Sequence, residues 1–277
     1  MITQLVTRTR HPYDGAVVRS LTFAMTGSQY LVKKIEGLGP VKSEVAVMDN
    51  PVEPGRTFMN ARDVSRNIVL TIGFEPDFAL GSSVEGLRRA MYAVLPPSTP
   101  IELVFTDSVL GEMTIQGYVE THEPNIFAQD PEVQISIICP MPYFKGPNGI
   151  VTTSGLNSTT FDITYPGDVP VGFTFDCDIT GSGSKIYLAN MPTANYGYVR
   201  MDISLASGDH VYFSTVPGNR GATTTRAAST TDRIGYIAGS LTKLKLQPGI
   251  NHFTTNAFGA APRTNTTIKY EQLYGSL

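Results

Sequence analysis

Apolar and polar side chains alternate with a period of two along most of the chain, the pattern of half-buried β-strands. In IVLTIGF, residues 68–74, Ile68, Leu70, Ile72 and Phe74 share one face. Ile101, Leu103 and Phe105 repeat the pattern, as do Met113, Ile115, Gly117 and Val119, and then Val133, Ile135, Ile137 and Cys139. One helix breaks the rhythm. SSVEGLRRAMYAVL, 82–95, sets Val84, Leu87, Met91 and Val94 on a single stripe, and Ser82 with Glu85 fits a capping box. Pro96 and Pro97 end it, because neither has an N–H to continue the ladder. A short helix with one apolar face needs a sheet to lie on, so this one is expected to pack on the N-terminal sheet.

The stretch 33–67 lacks this regularity. Its NPVEPG segment, 50–55, reads as part of a long exposed turn or arm, a natural strap to a neighbour in an oligomer. Pro51, Pro54, Arg56 and Phe58 are its candidate inter-subunit contacts. A second change comes at QISIICPMPYFKGPNG, 134–149, where an apolar strand runs into a cluster of prolines. Two readings compete there: Cys139 as a nucleophile, or the segment as a seam closing one domain at 145 and opening another at 146. Cys139 belongs to an inward-facing row, has no helix N-terminus beside it, and has His122 as its nearest histidine in sequence. That favours an inert core thiol. Cys139, Pro140, Pro142, Tyr143 and Phe144 then form the seam.

Beyond the seam, KGPNGIVTTSGLNSTT reads as a linker into a series of short strands without helix. In VGFTFDCDI, 171–179, Phe173, Phe175, Cys177 and Ile179 face one way, while Thr174, Asp176 and Asp178 face the other. GSGSK, 181–185, reads as a tight hairpin turn into KIYLAN, 185–190. Further strands are predicted at 198–205, 210–216, 233–239, 241–246 (LTKLKL), 250–257 and 267–274. Strands at this spacing with one polar side suggest a jelly-roll β-sandwich.

Composition narrows the function. Charged residues make up 16% of the 277 and the net charge is −3, so nothing resembles a phosphate-binding basic footprint. No apolar run approaches the roughly 20 residues of a membrane span, and the first residues lack the apolar core of a signal peptide, so a chain folded in a cytoplasm is expected. Cys139 and Cys177 are too few for a disulfide framework or a zinc site.

Candidate chemistry is sparse. Asp176 and Asp178 lie about 7 Å apart on one strand face, the geometry of half a calcium site, a glycosidase pair or a solvated strand. His11, His122, His210 and His252 are scattered and form no H-x-x-x-H or H-x-H pair. There is no G-x-S-x-G elbow, P-loop or G-x-G-x-x-G after a strand. The motifs point to a non-enzymatic β protein without cofactor or metal.

Several stretches together resemble the distal tail protein (Dit) family of long-tailed phages. They are VSRNIVLTIGF, EGLRRAMYAVLPPSTPIELVFTD and GYVETHEPNIFAQDPEVQISIICPMPYF in the N-terminal half, with an Asn-hydrophobic-Phe step at 125–127. In the C-terminal half they are SGDHVYFSTVPGNRGATTTR, LTKLKLQPGINHFTTNA and IKYEQLYGSL. The chain departs from the family pattern at Met141, where members often carry Asp, and in the Lys243–Gln247 region, where a Trp is usual.

The resemblance implies a mainly β fold with an N-terminal, β-sandwich-like, ring-forming domain (1–145) carrying the one helix. A C-terminal galectin-like sandwich (146–277) would follow. It further implies a homo-hexameric baseplate hub at the distal end of the tail, assembled in the host cytoplasm. That hub would join the tail-tube protein to the tail-tip protein, with tape-measure protein, side fibres or receptor-binding proteins as further partners. DNA would pass through its lumen without specific binding, and no part would insert in a membrane. Two other classes stay open. A carbohydrate-binding module would use Tyr187, Tyr196, Tyr198 and Tyr212 in place of the absent Trp, and a glycosidase would use Asp176 or Asp178.

Overall fold

A computed structural model describes residues 2–10, 16–24, 26–50, 54–125, 129–156, 158–191 and 197–277. His11, Pro51, Ile126, Phe127 and Tyr196 lie outside them. The protein is mainly β and divides into two compact units. The first holds 1–146 with 274–277, and the second holds 147–273. The last four residues thus belong to the first unit, whereas the resemblance implied a second domain running to the end.

The first unit contains β1 (Ile2–Arg10), β2 (Val17–Ala24), β3 (Tyr30–Glu36), β4 (Ser43–Asp49), β5 (Arg56–Asp63), β6 (Arg66–Phe74), α1 (Val84–Val94), β7 (Pro100–Asp107), β8 (Gly111–Asn125), β9 (Glu132–Cys139) and β10 (Phe144–Lys145). Its main sheet includes the run β10-β8-β7-β1-β2-β3-β6-β9. The 15-residue β8 also pairs with β9, so the sandwich-like arrangement closes into a barrel with few free edges. The inward rows meet inside. Ile68, Leu70, Ile72, Leu103, Phe105, Met113, Val133, Ile135, Ile137 and Cys139 are all fully or almost fully buried.

Helix α1 lies over β1, β2 and β6 and buries Leu87, Met91 and Val94. Its cap is Ser83, whose hydroxyl accepts from the Gly86 N–H at 3.2 Å, one residue later than the capping box expected. Ser82 instead donates to the Asp77 carbonyl, and Glu85 pairs with Arg89 at 2.8 Å one turn on. The orphan carbonyls at the helix C-terminus are taken up by the sheet below and its neighbours. Thr9 Oγ1 donates to Val94 O at 2.5 Å, Arg19 donates to Ala93 O, and His122 Nε2 lies 2.9 Å from Leu95 O.

The second unit contains β11 (Gly149–Leu156), β12 (Ser158–Tyr165), β13 (Phe173–Met191), β14 (Tyr198–Leu205), β15 (His210–Ser214), β16 (Gly221–Arg226), β17 (Ser229–Asp232), β18 (Ile237–Gly239) and β19 (Gly249–Tyr270); the short β20 (Leu273–Tyr274) ends in Tyr274, the first of the four residues that return to the first unit. The GSGSK hairpin does not form. β13 continues through 181–185 as one strand, bent by bulges after Thr180 and Gly183, with Gly181 at φ 111° supplying a conformation other residues rarely reach. The strands predicted at 250–257 and 267–274 are likewise largely one, β19. β13 and β19 pair along their whole length and turn the corner together, so each serves both layers. One layer is β11-β19-β13-β15-β16-β17; the other joins β12, β14 and β18 to the far halves of β13 and β19. Phe173, Phe175, Cys177, Ile186, Leu188 and Phe253 fill the space between.

Of two other predicted strands, one is absent and one is shortened. Residues 241–246 form a turn tied by one isolated bridge, Val171 to Leu246. In 233–239, a single 3-10 turn at Ile234–Tyr236 precedes the short β18.

Candidate assembly surface

The irregular stretch 33–67 resolves into the end of β3, a separate two-stranded hairpin, and the start of β6. β4 and β5 pair only with each other, and every residue of both is exposed. Val45 opposite Ala61 and Val47 opposite Phe58 form an apolar stripe, with Phe58 63% exposed. Charge brackets it: Arg56 Nε reaches Asp49 Oδ1 at 2.8 Å toward the tip, and Arg62 reaches Glu44 Oε2 at 2.6 Å toward the root. A bulge after Ala46 leaves Met59 unpaired and also exposed. A lone ribbon of two strands is marginal in water, and exposed apolar side chains in a row mark a surface made to be covered.

The hairpin has a firm root. Ser43 donates to Asp63 Oδ1 at 2.5 Å, Tyr143 donates to the other oxygen, and the Val64 N–H donates to Lys42 O at 3.0 Å. The Ser43 and Tyr143 hydrogen bonds hold the Asp63 carboxyl below its usual range, while burial, helped by the Asp63 contact, pushes the Tyr143 phenol up to about 12. Next to it, Arg66 is buried without a carboxylate. Its guanidinium donates to the carbonyls of Pro142 (2.8 Å), Gly39 (2.7 Å), Gly275 (2.5 Å) and Gly37. One side chain thus ties the segment before the hairpin, the proline cluster and the C-terminal residues. Arg66 stands in phase with Ile68 and Leu70, and that inward charge was a readable signal.

The proline cluster belongs to the same node. Pro142 and Phe144 are buried, Pro140 is exposed, and Phe144 meets Phe105 edge-on at 5.8 Å. Cys139 is fully buried and its thiol is pushed up to about 12 by burial, against the pull of Arg66. A thiolate nucleophile is therefore not on offer at neutral pH. Pro54, Arg56 and Phe58 sit on or beside the hairpin, so three of the four arm residues share one ribbon.

The tyrosines of the sugar-binding reading separate. Tyr187 and Tyr198 meet at 5.6 Å on the outer face of the layer carrying β14, with Arg200 opposite Tyr187. Tyr212 is on β15, in the other layer. Asp176 and Asp178 are bridged by His210, through Nε2 at 3.2 Å and Nδ1 at 2.8 Å, with Lys269 at 3.6 Å from Asp176. The pair is a strand face engaged by one histidine and one lysine. Among the described residues, no group of three His, Cys, Asp or Glu side chains is placed to hold a metal ion.

No protein-family model and no curated protein matches the chain. Solved structures do. The crystal structure of the phage SPP1 Dit protein aligns over 97% of this chain and 98% of that one, with a TM-score of 0.65 and 14% identity. The chain has the Dit fold. The SPP1 protein is described as a paradigm of the hub adsorption apparatus in phages infecting Gram-positive bacteria. Chains of the activated phage P2 baseplate, with Ca and with Sr, align over 97% and 96% of this chain at TM-scores of 0.43 and 0.41 and 7% identity. Likeness to the Dit fold extends through both units, and the barrel, the one helix and the sandwich are all included in the aligned length.

Proposed function

We propose that the chain is a structural component of a phage tail, a distal tail protein whose copies form a six-membered hub at the end of the tail. In this reading the first units build the ring, which joins the tail tube to the tail-tip protein and passes DNA through its lumen. A net charge of −3 suits passage without retention. The role is mechanical, and no residue is assigned to catalysis or to a cofactor.

The observation that carries the reading is the β4–β5 ribbon: an apolar stripe of Val45, Val47, Ala61 and Phe58, unpaired on both edges and rigidly rooted at Asp63 and Arg66. A neighbouring copy that covers the stripe and pairs with an edge accounts for both its exposure and its order. The Dit fold over nearly the whole chain supports the same conclusion. The test is the native mass of the purified protein, with negative-stain images. Six-fold rings, formed alone or on addition of the tube or tip protein, are expected. A chain that stays monomeric with every tail partner overturns the hub.

A second reading, a glycan-binding module, draws support from the Tyr187–Tyr198 pair beside Arg200. Loss of glycan-array binding in Tyr198→Ala is its test.

A further inference from the structure

A cavity of about 410 Å³ opens in the second unit, and its described lining includes none of Tyr187, Tyr198 and Tyr212. Its walls come from the end of β14 (Ile203, Ser204), from Asp209, and from the β16–β17 hairpin with Arg233 behind it. The lining is dense in hydroxyls: Ser204, Thr224, Ser229 and Thr231.

Charge in this cavity is unbalanced. Asp209 is buried and fully engaged: Arg226 Nε meets its Oδ1 at 2.6 Å, Arg226 Nη2 its Oδ2 at 2.5 Å, and the Ala206 N–H donates to Oδ2 at 2.7 Å. That fork neutralises Arg226. Among the described residues Arg233 has no such partner. Its Nε donates to Thr224 Oγ1 at 3.0 Å and its guanidinium carbon lies 5.3 Å from the centre of the Tyr236 ring. The neighbouring Asp232 turns its carboxylate to the Ile234 N–H at 2.9 Å, and among the described residues Asp209 is the one acid in the lining. A guanidinium held by a hydroxyl and an aromatic face, with its terminal N–H groups uncommitted, is preorganised for an oxyanion.

The hairpin rim adds a strained feature. Ala227 and Ala228 have φ of 46° and 65°, both in the left-handed region that residues with a Cβ avoid. The two-residue turn is the mirror-image type that Asn-Gly normally supplies. Here methyl groups replace the glycine, and Ala227 lines the cavity mouth. Strain retained at the rim of a polar cavity is a mark of a shaped site.

We propose that this cavity binds an anionic saccharide or polyol, a ligand carrying a carboxylate or phosphate group together with hydroxyls. Arg233 takes the oxyanion, and Ser204, Ser229 and Thr231 take the hydroxyls. The Asp209–Arg226 fork is a positioning element that fixes the hairpin against β14, since Arg226 also donates to Ser204 O at 3.3 Å. The proposal rests on the cavity and not on the hub reading, so its failure would leave that reading standing.

The full chain is titrated by calorimetry with glycerol 1-phosphate and galacturonic acid, against inorganic phosphate, glycerol and galactose. Saturable binding of at least one anionic polyol is expected, tighter than phosphate, with neutral glycerol and galactose silent. The better of the two anionic probes then assigns phosphate or carboxylate as the natural oxyanion. Arg233→Gln is expected to weaken binding roughly tenfold or more, the scale of one charge-assisted contact, while Arg220→Gln, an exposed cation outside the lining, leaves it unchanged. Should Arg233→Gln fail to fold, Thr231→Val on the exposed wall serves instead, with a several-fold loss expected. Three outcomes overturn the site: no saturable binding of either anionic polyol, phosphate binding as tightly as both, or variants that bind like the wild type.

Discussion

The guanidinium of Arg66 lies over the ring of Phe144, its central carbon 4.7 Å from the ring centre, while its N–H groups reach four backbone carbonyls. A buried cation survives here because each of its three nitrogens donates to a carbonyl and the open face has an aromatic ring. Burial pulls the Arg66 pKa down, but an arginine starts so high that the charge is retained at any physiological pH. Arg66→Met removes the donors and keeps the stem. Stability should fall by about 3 kcal/mol, since several buried carbonyls lose their partner at once. Urea unfolding of the variant measures it, and a midpoint equal to wild type would show that water replaces the side chain freely.

The hairpin stripe predicts a separation of folding from assembly. Phe58→Asp with Val47→Asp changes two exposed positions, so the unfolding midpoint should stay within about 0.5 kcal/mol of the parent. In the proposed ring, assembly should weaken by at least roughly 100-fold, because two apolar side chains worth about 1.5–3 kcal/mol each when covered would be lost. Sedimentation of the wild type and variant at matched concentrations separates the two effects. Intact rings in the variant would remove the hairpin from the interface.

Gly117 faces inward on β8 where β9 comes closest. A Cβ there would stand 2.7 Å from Ile137 Cγ2 and 2.9 Å from Cys139 Sγ. Gly117→Ala should therefore cost about 1–3 kcal/mol through overpacking. Adding Cys139→Ala relieves one of the two clashes, so the double variant should lie above the sum of the singles. Strict additivity would mean that the barrel shifts to make room.

Both thiols give a pH signature. Burial raises Cys139 and Cys177 from 9.0 to about 12. The folded state thus keeps its protons where the unfolded chain releases them. Their contribution is whole below about pH 9 and is lost as pH rises from there toward 12, by up to about 1.4 kcal/mol per pH unit and thiol. Ellman's reagent at pH 8 should find no reactive thiol in the native protein and two after denaturation. Prompt native labelling would contradict the burial of both.

Much of the first unit is legible in the sequence, because period-2 rows such as Ile68–Phe74 and Val133–Cys139 report burial directly. The helix stripe is legible too; its cap moves one residue to Ser83 because Ser82 is drawn back to the Asp77 carbonyl by the preceding turn and accepts from Gln29, a distant residue that no local motif reports. The hairpin at 43–63 escapes the pattern for a physical reason. An arm with no sheet beneath it has no buried face, so no alternation sets in. GSGSK misleads in the opposite way: glycine serves a bulge and a turn through the same positive φ, and only the pairing with β19 decides between them. The cavity beside Arg233 is assembled from β14 and β16–β17, segments distant in sequence, and gives no linear signal.

β13 and β19 each pass through both layers of the sandwich, paired from Phe173 with Tyr270 to Met191 with His252. Neither layer can be completed while the other is missing, because half of each long strand would be left without its ladder. The second unit should consequently melt in one cooperative step, with no half-formed state of appreciable population. It should also form slowly, since the ladder must wait until the intervening strands β14 to β18 have been made and the distant partner found.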